Sequence, residues 1–384
     1  MKYLEVEKLS KKFLYGEQAL DGVSFSLDRG ERLTVFGDSC AGKTALVKTV
    51  LGLFEKSGGS IRLGGRDIAE IPFKERGFSS TFFDAFKRRK SVYENLFYSF
   101  RLRGIERSVF EEKLRIADGF FNTKNLLFKE WGDLSPREKA LAVIVRCVLR
   151  GAELYLFDDP LKGLAFPEKK EILLRLSAYL DAAVGGAVLY TTGDLLEAEF
   201  LNQKTLILNY GTVAAYGDLK GIFAAPPDLY CCRLFGFNVL KRDKYPQSIL
   251  QNDLNGNTSA QGDTEYQTRS ILQNDLNENT FVPNNAVFFA VKPKDLHTAL
   301  TSGAPITGKV ILAPFDVTAP TLCVRDADET TVWVAARPDG EEFRIGGEVG
   351  LRFSLSDALF YGADEKIITE TIADEKRISG TKEV

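Results

Sequence analysis

The chain has 384 residues, of which 44% are hydrophobic and 27% are charged, and its formal net charge is −3. This composition is typical of a globular protein long enough for two domains, and it excludes a global electrostatic field directed at nucleic acid or an anionic membrane. Five scattered cysteines fit neither a disulfide framework nor a zinc site, and no run of about 18 apolar residues occurs. We therefore expect a protein of the reducing cytoplasm without a membrane span of its own.

The first 70 residues are predicted to form strands and turns. Apolar alternation over 4–9 and 23–27 predicts two strands, and the short apolar run at 32–36 is typical of a buried strand. A helix is expected over 44–51, where helix-forming residues follow.

A phosphate-binding motif lies between that strand and that helix. Residues 37–44 have the sequence Gly-Asp-Ser-Cys-Ala-Gly-Lys-Thr, which matches G-x-x-x-x-G-K-[ST]. Backbone N–H groups and the positive end of the helix can wrap a triphosphate, Lys43 would neutralise the β- and γ-phosphates, and the Thr44 hydroxyl would hold Mg²⁺. The predicted nucleotide contacts in this segment are Gly37, Ser39, Cys40, Ala41, Gly42, Lys43, Thr44 and Ala45.

The middle of the chain alternates between helices and strands. Residues 92–149 have apolar side chains every three or four positions, which predicts a helical region, and strands are expected at 151–159 and 187–192 with a helix at 168–180 between them. This order predicts an α/β fold with a parallel sheet covered on both faces.

Two acidic residues end the strand at 151–159. In phosphate-loop enzymes an aspartate in this place completes the Mg²⁺ shell and the next residue positions the attacking water. These roles are predicted for Asp158 and Asp159 respectively, the alternative being a strand end with two solvated acids.

The composition changes after about residue 243. Residues 244–283 are polar, and the sequence Ser-Ile-Leu-Gln-Asn-Asp-Leu-Asn occurs at both 248–255 and 270–277, which favours a duplicated, solvent-exposed insertion. Residues 286–384 contain short alternating runs broken by Gly, Pro and Asp, which predict a small β-barrel or sandwich. The single histidine, His297, is expected on a surface helix without a functional role.

Together these motifs resemble the ATP-binding subunits of ABC transporters, in particular those that energise sugar importers such as the maltose system. The similar segments are the opening at 9–25, the helical entry at 91–104, the signature-like Leu-Ser-Pro-Arg-Glu at 134–138, the second nucleotide motif at 157–164, the switch segment at 191–198, and the tail segments at 289–296 and 346–361.

The resemblance implies a domain organisation. An ABC-type P-loop nucleotide-binding domain would occupy 1–235, with its helical subdomain at about 88–150. An all-β regulatory domain like the oligonucleotide/oligosaccharide-binding (OB) barrel would follow at 236–384 and contain the duplicated insertion at about 244–283.

The resemblance also implies ligands and partners. These are ATP with Mg²⁺, transmembrane permease subunits, a second ATP-binding subunit in a homo- or heterodimer, and indirectly a solute-binding protein, at the cytoplasmic face of the cell membrane and without nucleic acid. An aromatic residue would stack on adenine, with Tyr15 preferred over Phe13 and core packing as the alternative. Ser135 would face the γ-phosphate bound by the opposite subunit.

Several positions depart from the family pattern, and they concentrate on catalysis. Asp159 stands in place of the catalytic glutamate, Gly193 in place of the switch histidine, and Phe82 in place of the glutamine that joins Mg²⁺ to the transmembrane partner. Because Asp159 is one methylene shorter, its carboxylate would lie about an ångström from the required position, which costs on the order of a hundredfold in rate.

The signature and the phosphate loop depart as well. Pro136 removes an N–H donor, Arg137 and Glu138 add bulk, and Ala165 replaces the aspartate that links the two sites of a dimer. Cys40 occupies a position where the family favours glycine, and we expect it to be tolerated if its φ is negative.

These observations favour the nucleotide-binding subunit of an ABC importer, for carbohydrate or a related solute, that binds Mg-ATP with weak or absent hydrolysis. The alternative is a non-catalytic regulatory or assembly subunit that pairs with a competent ATPase. A family relative acting on DNA or ribosomes is disfavoured by the importer-type tail and the lack of a basic surplus. The basic run at 87–90 is either a permease contact or a solvated loop.

Overall fold

The chain divides into two compact units, Met1–Ala224 and Ala225–Val384. The computed structural model describes residues 2–14, 16–82, 86–182, 186–201, 203–241, 288–299, 306–312, 321–326, 332–336, 348–352, 358–361 and 363–368. The adenine candidate Tyr15 and the duplicated segment lie outside the described residues. The predicted domain boundary after residue 235 stays a prediction.

Within the described residues of the first unit, ten strands build two sheets. They are β1 (Lys2–Lys12), β2 (Gln18–Asp28), β3 (Arg32–Phe36), β4 (Gly58–Leu63), β5 (Arg66–Asp67), β6 (Phe78–Ser80), β7 (Leu154–Asp158), β8 (Ala187–Thr192), β9 (Lys204–Asn209) and β10 (Thr212–Asp218). One sheet is antiparallel with the order β2-β1-β4-β5, and the other has the order β10-β9-β3-β8-β7-β6. In the larger sheet β3, β6, β7, β8 and β9 run parallel, which confirms the predicted parallel sheet, and β10 adds an antiparallel edge.

Helices cover the larger sheet and form a separate cluster of their own. They are α1 (Lys43–Leu51), α2 (Val92–Arg101), α3 (Arg107–Phe121), α4 (Lys124–Leu127), α5 (Pro136–Leu149), α6 (Phe166–Ala182), α7 (Leu195–Leu201) and α8 (Leu219–Ala224). The predicted helical region at 92–149 is confirmed as α2 to α5, whose apolar faces bury Phe110, Phe121 and Leu141 in a common core. A second core lies between α1 and the two sheets and includes Leu33, Val47 and Ile61. Among the helices of the described residues, none combines the length and apolar character that crossing a bilayer requires.

Strand register determines where the site forms. In the parallel pairing of the larger sheet, Phe36 of β3 lies beside Thr192 of β8, and Asp158 of β7 lies beside Thr191. The residues that follow β3, β7 and β8 therefore meet at one edge, the carboxyl edge at which open α/β sheets bind ligands.

The turn between β9 and β10 is fixed against the phosphate loop. The Gly211 N–H donates to the Ala41 carbonyl over 2.9 Å, and the Asp21 N–H donates to the Gly211 carbonyl over 2.8 Å. Gly211 has a φ of +83°, and a Cβ there would lie 2.6 Å from the Ala19 carbonyl oxygen. Only glycine allows this close approach.

The second unit is built mainly of strands in its described part. One helix, α9 (Leu229–Leu234), is followed by β11 (Asn238–Lys241), β12 (Phe288–Val291), β13 (His297–Ala299), β14 (Ile306–Leu312), β15 (Thr321–Asp326), β16 (Val332–Ala336), β17 (Glu348–Arg352) and β18 (Leu359–Tyr361). The strands pair in antiparallel fashion in two sheets, β11-β12-β18 and β13-β17-β14-β15-β16. The predicted helix at His297 is wrong, because this residue begins β13 and pairs with Arg352 of β17.

Side chains link the parts of the second unit. The Asn238 amide nitrogen donates to the Val334 carbonyl and its oxygen accepts from the Val334 N–H, both over 2.9 Å, so β11 of one sheet is joined to β16 of the other. The Tyr361 hydroxyl donates to the Pro226 carbonyl over 2.9 Å and accepts from the Cys232 thiol over 3.0 Å. Burial raises the pKa of the Cys232 thiol to about 11, so this thiol is neutral and serves packing.

Replacement of Gly211 by alanine tests the fixed turn. We expect Gly211→Ala to lower the free energy of unfolding by about 2–4 kcal/mol, because the left-handed conformation and the clash with Ala19 add up. Gly64→Ala is the matched control, since Gly64 also has a positive φ (+58°) but a Cβ there would meet no atom within 4 Å; it should cost only about 1 kcal/mol. Urea denaturation measures both, and equal losses would contradict the close approach.

Candidate functional site

A cleft of about 790 Å³ opens where the loop after β3 meets α1. The predicted nucleotide contacts that line it are Ser39, Cys40, Ala41, Gly42, Lys43, Thr44 and Ala45, and Asp159 joins them from the end of β7. Phe13, the second choice for the adenine contact, also lines it. The structure therefore brings together residues that are more than a hundred positions apart in the sequence.

The start of α1 is open to an anion. Gly42 precedes the helix with a φ of +105°, and no side chain caps the helix N-terminus. A Cβ at Gly42 would lie 2.7 Å from the Ala19 carbonyl oxygen, so a larger residue does not fit. The free N–H groups of the first turn and the helix dipole favour a phosphate at this position.

Lys43 lies over the phosphate loop. Its Nζ donates to the carbonyl of Gly37 over 2.7 Å and to that of Asp38 over 2.8 Å. Burial lowers the pKa of Lys43, while the carboxylates of Asp159, Asp38 and Asp158 act in the opposite direction. The ammonium group is thus held beside the loop that would receive the phosphates.

Thr44 and Asp158 form the pair predicted to hold a metal ion. The Thr44 hydroxyl donates to Asp158 Oδ1 over 3.1 Å, and the Thr191 hydroxyl donates to the same oxygen over 3.0 Å. Oxygen donors of this kind suit Mg²⁺, which takes few protein ligands and completes its shell with phosphate oxygens and water. Within the described residues no group of three or more His, Cys, Asp and Glu could hold a metal ion, so the phosphates would have to supply the other ligands.

The backbone of Asp159 is tightly held. Its N–H donates to the Thr191 carbonyl over 3.2 Å and to the Thr191 hydroxyl over 3.0 Å, and its φ is +44°. Burial raises the pKa of the Asp159 carboxyl, an effect that Lys43 and Lys162 oppose. Because the main chain is fixed, it cannot move forward to compensate for the short side chain.

Gly193 follows β8 beside the phosphate loop. A Cβ at this residue would lie 3.4 Å from the Gly37 carbonyl oxygen and 3.8 Å from Lys43 Nζ, both ordinary contacts. A side chain here would thus start next to the phosphate-binding lysine, and glycine supplies none. This is the position at which the sequence predicts the loss of the switch contact.

A buried ion pair lies behind Gly193. Lys169 of α6 places Nζ 2.7 Å from Asp194 Oδ2 and 2.7 Å from Glu197 Oε1, and the Tyr190 hydroxyl donates to Glu197 Oε2 over 2.7 Å. Glu197 is fully buried. Burial raises the pKa of the Glu197 carboxyl, and hydrogen bonds from Lys169 and Tyr190 lower it in part. The cluster joins α6 to the switch segment, and Lys169 and Asp194 also line the cleft.

Cys40 has a left-handed backbone conformation in the phosphate loop. Its φ is +67°, whereas the sequence predicts that cysteine is tolerated here at a negative φ, so the condition for that expectation is not met. A non-glycine residue in this region costs roughly 1–2 kcal/mol. Glycine adopts this backbone conformation without strain, whereas the exposed Cys40 adopts it at a cost in conformational free energy.

Ser135 lies away from the cleft, at the start of α5. Its hydroxyl accepts from the Glu138 N–H over 3.3 Å, and the Glu138 carboxylate accepts from the Ser135 N–H over 2.9 Å. Lys129 Nζ lies 2.6 Å from Glu138 Oε1. The start of α5, at the signature-like segment 134–138, is therefore capped by the carboxylate of Glu138. Ser135 does not line the cleft.

Phe82 is half-buried and does not line the cleft. Its ring contacts the core beside α1, and Lys48 Nζ lies 4.5 Å from the ring centre. In such a contact the lysine ammonium group is attracted to the face of the aromatic ring. It offers no oxygen or nitrogen atom to a metal ion.

Sequence reasoning missed several residues of the cleft. These are Glu17, Gln18, Ala19, Lys162, Gly163, Lys169, Asp194 and Tyr210. Asp194 had a signal, because it follows Gly193 in the switch segment. Lys162 and Gly163 lie in the second nucleotide motif at 157–164, and Glu17, Gln18 and Ala19 lie in the opening segment at 9–25, although none of them was singled out as a contact. No local pattern marks Lys169 or Tyr210, whose contact with the loop depends on the tertiary fold.

The sequence is similar to a known protein family and to import ATP-binding proteins. Residues 20–162 match the protein family described as ABC transporter. The chain is 30% identical over 257 residues to the molybdate/tungstate import ATP-binding protein WtpC of Methanocaldococcus jannaschii, an alignment that covers 66% of this chain and 83% of that protein. It is 26% identical to the sn-glycerol-3-phosphate import ATP-binding protein UgpC of Jannaschia sp., covering 68% and 73% respectively.

The fold has relatives among solved structures. The structure of an ATP-binding subunit of an ABC transporter superimposes with a TM-score of 0.51 at 27% identity, covering 57% of this chain and 91% of that one. The ADP conformation of an ATP-binding cassette superimposes with a TM-score of 0.52 at 20% identity and supports the fold alone.

Replacement of Lys169 tests the buried ion pair. We expect Lys169→Met to lower the free energy of unfolding by about 3–5 kcal/mol, because it leaves the carboxylates of Asp194 and Glu197 without their cation. The exposed neighbour Lys170→Met is the control and should change stability by less than about 0.5 kcal/mol. Adding Glu197→Gln to Lys169→Met should recover part of the loss in urea denaturation, and no recovery would contradict this account.

Thiol labelling tests the position of Cys40. We expect iodoacetamide to modify the exposed Cys40 first, because burial raises the pKa of the Cys147 thiol to about 12 and leaves it neutral. Saturating Mg-ATP should slow labelling of Cys40 by roughly tenfold or more, since a bound ligand protects the state it occupies. Peptide mapping by mass spectrometry measures both, with the half-buried Cys323 of the second unit as internal control. Labelling of Cys40 that ignores the nucleotide would contradict its place in the binding site.

Proposed function

Because this chain belongs to the ATP-binding subunits of ABC transporters, we propose that it binds Mg-ATP in the cleft and serves as the nucleotide-binding subunit of an importer, with weak or absent hydrolysis. The observation that supports the proposal best is a contrast between the residues around the phosphate loop and the residue that follows β8. The residues that would bind phosphate and metal stand together, while Gly193 leaves the opposite wall beside Lys43 without a side chain.

Binding rests on three groups of this chain. The open N-terminus of α1 and Lys43 would hold the phosphates, and Thr44 with Asp158 would hold Mg²⁺. When bound, Mg²⁺ neutralises charge on the phosphate oxygens. Of the other predicted contacts, Ser39, Cys40, Ala41 and Ala45 would lie against the phosphates as part of the same loop and helix.

Slow hydrolysis would follow from the positions of Asp159, Gly193 and Phe82. Asp159 is the candidate to orient a water molecule, yet its side chain is one methylene shorter than glutamate and its main chain is tied to Thr191. Misplacement by about an ångström costs on the order of a hundredfold. Gly193 contributes no hydrogen-bond donor to the γ-phosphate, and the Phe82 ring is directed into the core.

Partners and solute follow from the family. We propose that the subunit works on transmembrane permease subunits at the cytoplasmic face of the membrane, as one half of a homo- or heterodimer of ATP-binding subunits, with a solute-binding protein as an indirect partner. The two curated relatives are import proteins for molybdate/tungstate and for sn-glycerol-3-phosphate. They support an importer, and we propose carbohydrate or a related solute as its cargo.

A second candidate is a non-catalytic regulatory or assembly subunit that pairs with a competent ATPase. The capping of Ser135 by Glu138 favours it, since this chain's signature helix already carries a carboxylate where the partner's γ-phosphate would be received. The strands of the second unit would then form an OB-like regulatory domain. In this arrangement one shared site would combine the partner's base with this chain's altered signature, and the other would combine Asp159 of this chain with the partner's signature.

Nucleotide binding and phosphate release, measured on the same samples, test the proposal. We expect the purified chain to bind Mg-ATP and to release phosphate at no more than about a hundredth of the rate of an ordinary family member. Lys43→Ala should abolish binding, because it removes the only ammonium group that is hydrogen-bonded to the phosphate loop among the described residues.

Restoration variants serve as the positive control. Asp159→Glu together with Gly193→His should raise phosphate release at least tenfold without changing affinity for Mg-ATP. Turnover of the unaltered chain at the rate of ordinary family members would refute weak hydrolysis, and failure to bind Mg-ATP would refute the proposal as a whole.

A further inference from the structure

Tyr210 is an exposed aromatic residue that lines the nucleotide cleft. It lies in the turn between β9 and β10, and 78% of its surface is accessible to solvent. Its φ is +43°, in the left-handed region that bulky side chains avoid. This conformation belongs to the two-residue turn from β9 to β10, in which Gly211 also has a positive φ (+83°), whereas no packing within the described part of the chain accounts for the exposure of the ring.

The turn that carries Tyr210 is attached to the phosphate loop. The next residue, Gly211, donates its N–H to the Ala41 carbonyl and accepts from the Asp21 N–H. A Cβ on Gly42 would in turn lie 3.3 Å from Gly211 Cα, so the two backbones are in direct contact. The position of Tyr210 relative to the phosphate site is therefore fixed by the main chain.

The other described aromatic residue of the cleft is already engaged. The Phe13 ring packs edge to face with the Phe54 ring at a centroid distance of 5.2 Å and an angle of 90°, and Lys11 Nζ lies 5.2 Å from its centre. In contrast, the Tyr210 ring has no ring, cation or hydrogen-bond partner within the described part of the chain. Its faces are free for a planar ligand.

We propose that Tyr210 packs its ring against the base of the bound nucleotide and is a binding residue of this site. The inference rests on the proposed function, because the cleft must hold a nucleotide for the contact to exist. An aromatic ring on a fixed turn binds a base at a low cost in conformational entropy, and stacking tolerates any base. The contact acts on the base alone, and the phosphates are bound by other residues.

A comparison of two ligands tests the proposal. Affinities for Mg-ATP and for Mg-tripolyphosphate, which has the phosphates but no base, are measured by calorimetry on the full chain. We expect Tyr210→Ala to weaken Mg-ATP by about tenfold and to leave tripolyphosphate unchanged within about twofold. Tyr210→Phe should retain the affinity of the unaltered chain, since the ring is kept.

Two further variants separate loss of the ring from a change in the turn and from a general effect of removing an exposed aromatic residue. Tyr210→Asn should behave as Tyr210→Ala does, because asparagine readily adopts a positive φ and keeps the turn in place. Phe128→Ala, which removes an aromatic residue of similar exposure (83%) that does not line the cleft, should leave both affinities unchanged.

The outcomes separate this inference from the function on which it rests. Unchanged Mg-ATP affinity in Tyr210→Ala, or equal weakening of both ligands, would overturn the stacking contact while the nucleotide site stands. Loss of both ligands only in Lys43→Ala confirms that the cleft is the site being measured. Failure of the unaltered chain to bind Mg-ATP would overturn the proposed function and this inference with it.

Discussion

The side of the cleft that is proposed to bind a metal ion depends on the hydrogen bonds of the Thr191 hydroxyl. This hydroxyl accepts from the Asp159 N–H and donates to Asp158 Oδ1, so a single buried side chain positions both acidic residues. The parallel register of β7 with β8 makes this possible, because it places Asp158 beside Thr191. Since Asp158 Oδ1 also accepts from Thr44, the start of α1 is connected to the same point. Removal of that hydroxyl would take one hydrogen bond from each acidic residue, while the Asp159 N–H would keep the Thr191 carbonyl and Asp158 Oδ1 would keep Thr44.

Sequence reasoning located the local parts of this arrangement and missed the long-range ones. The glycines, lysine and threonine of the phosphate loop have fixed spacing, and Asp158 ends an apolar run, so each had a pattern of its own. Lys169, Asp194 and Tyr210 enter the cleft through α6, the switch segment and the β9–β10 turn, whose placement depends on packing. The φ of Cys40 could not be predicted either, because a cysteine gives no local indication of a left-handed conformation. In the second unit the short alternating runs were sufficient to predict strands, while three residues around His297 were too few to distinguish a strand from a helix.

Binding and hydrolysis make different demands on geometry, and under the proposed function this chain would meet them unequally. A phosphate needs a positive helix end and a lysine, and small displacements of either cost little because their fields extend over several ångströms. An attacking water needs a base placed to within a fraction of an ångström, on a main chain that can deliver it. In the proposed function, the bonds that hold Asp159 beside the proposed metal ligands would also limit the adjustment that a shorter carboxylate requires. Retention of the first function and loss of the second are thus consistent with one set of contacts.

The capped start of α5 has a consequence for the direction in which information passes. A helix end whose N–H groups are unpaired gains hydrogen bonds when the neighbour's phosphate binds and loses them when it leaves. The stability of such a helix end therefore depends on the neighbour's nucleotide. Here Glu138 accepts from the Ser135 N–H and is itself paired with Lys129, so in the proposed dimer this helix end would keep its contacts whether or not the neighbour holds a nucleotide. Within the proposed dimer, the start of α5 in this subunit would therefore not respond to the nucleotide bound by its partner.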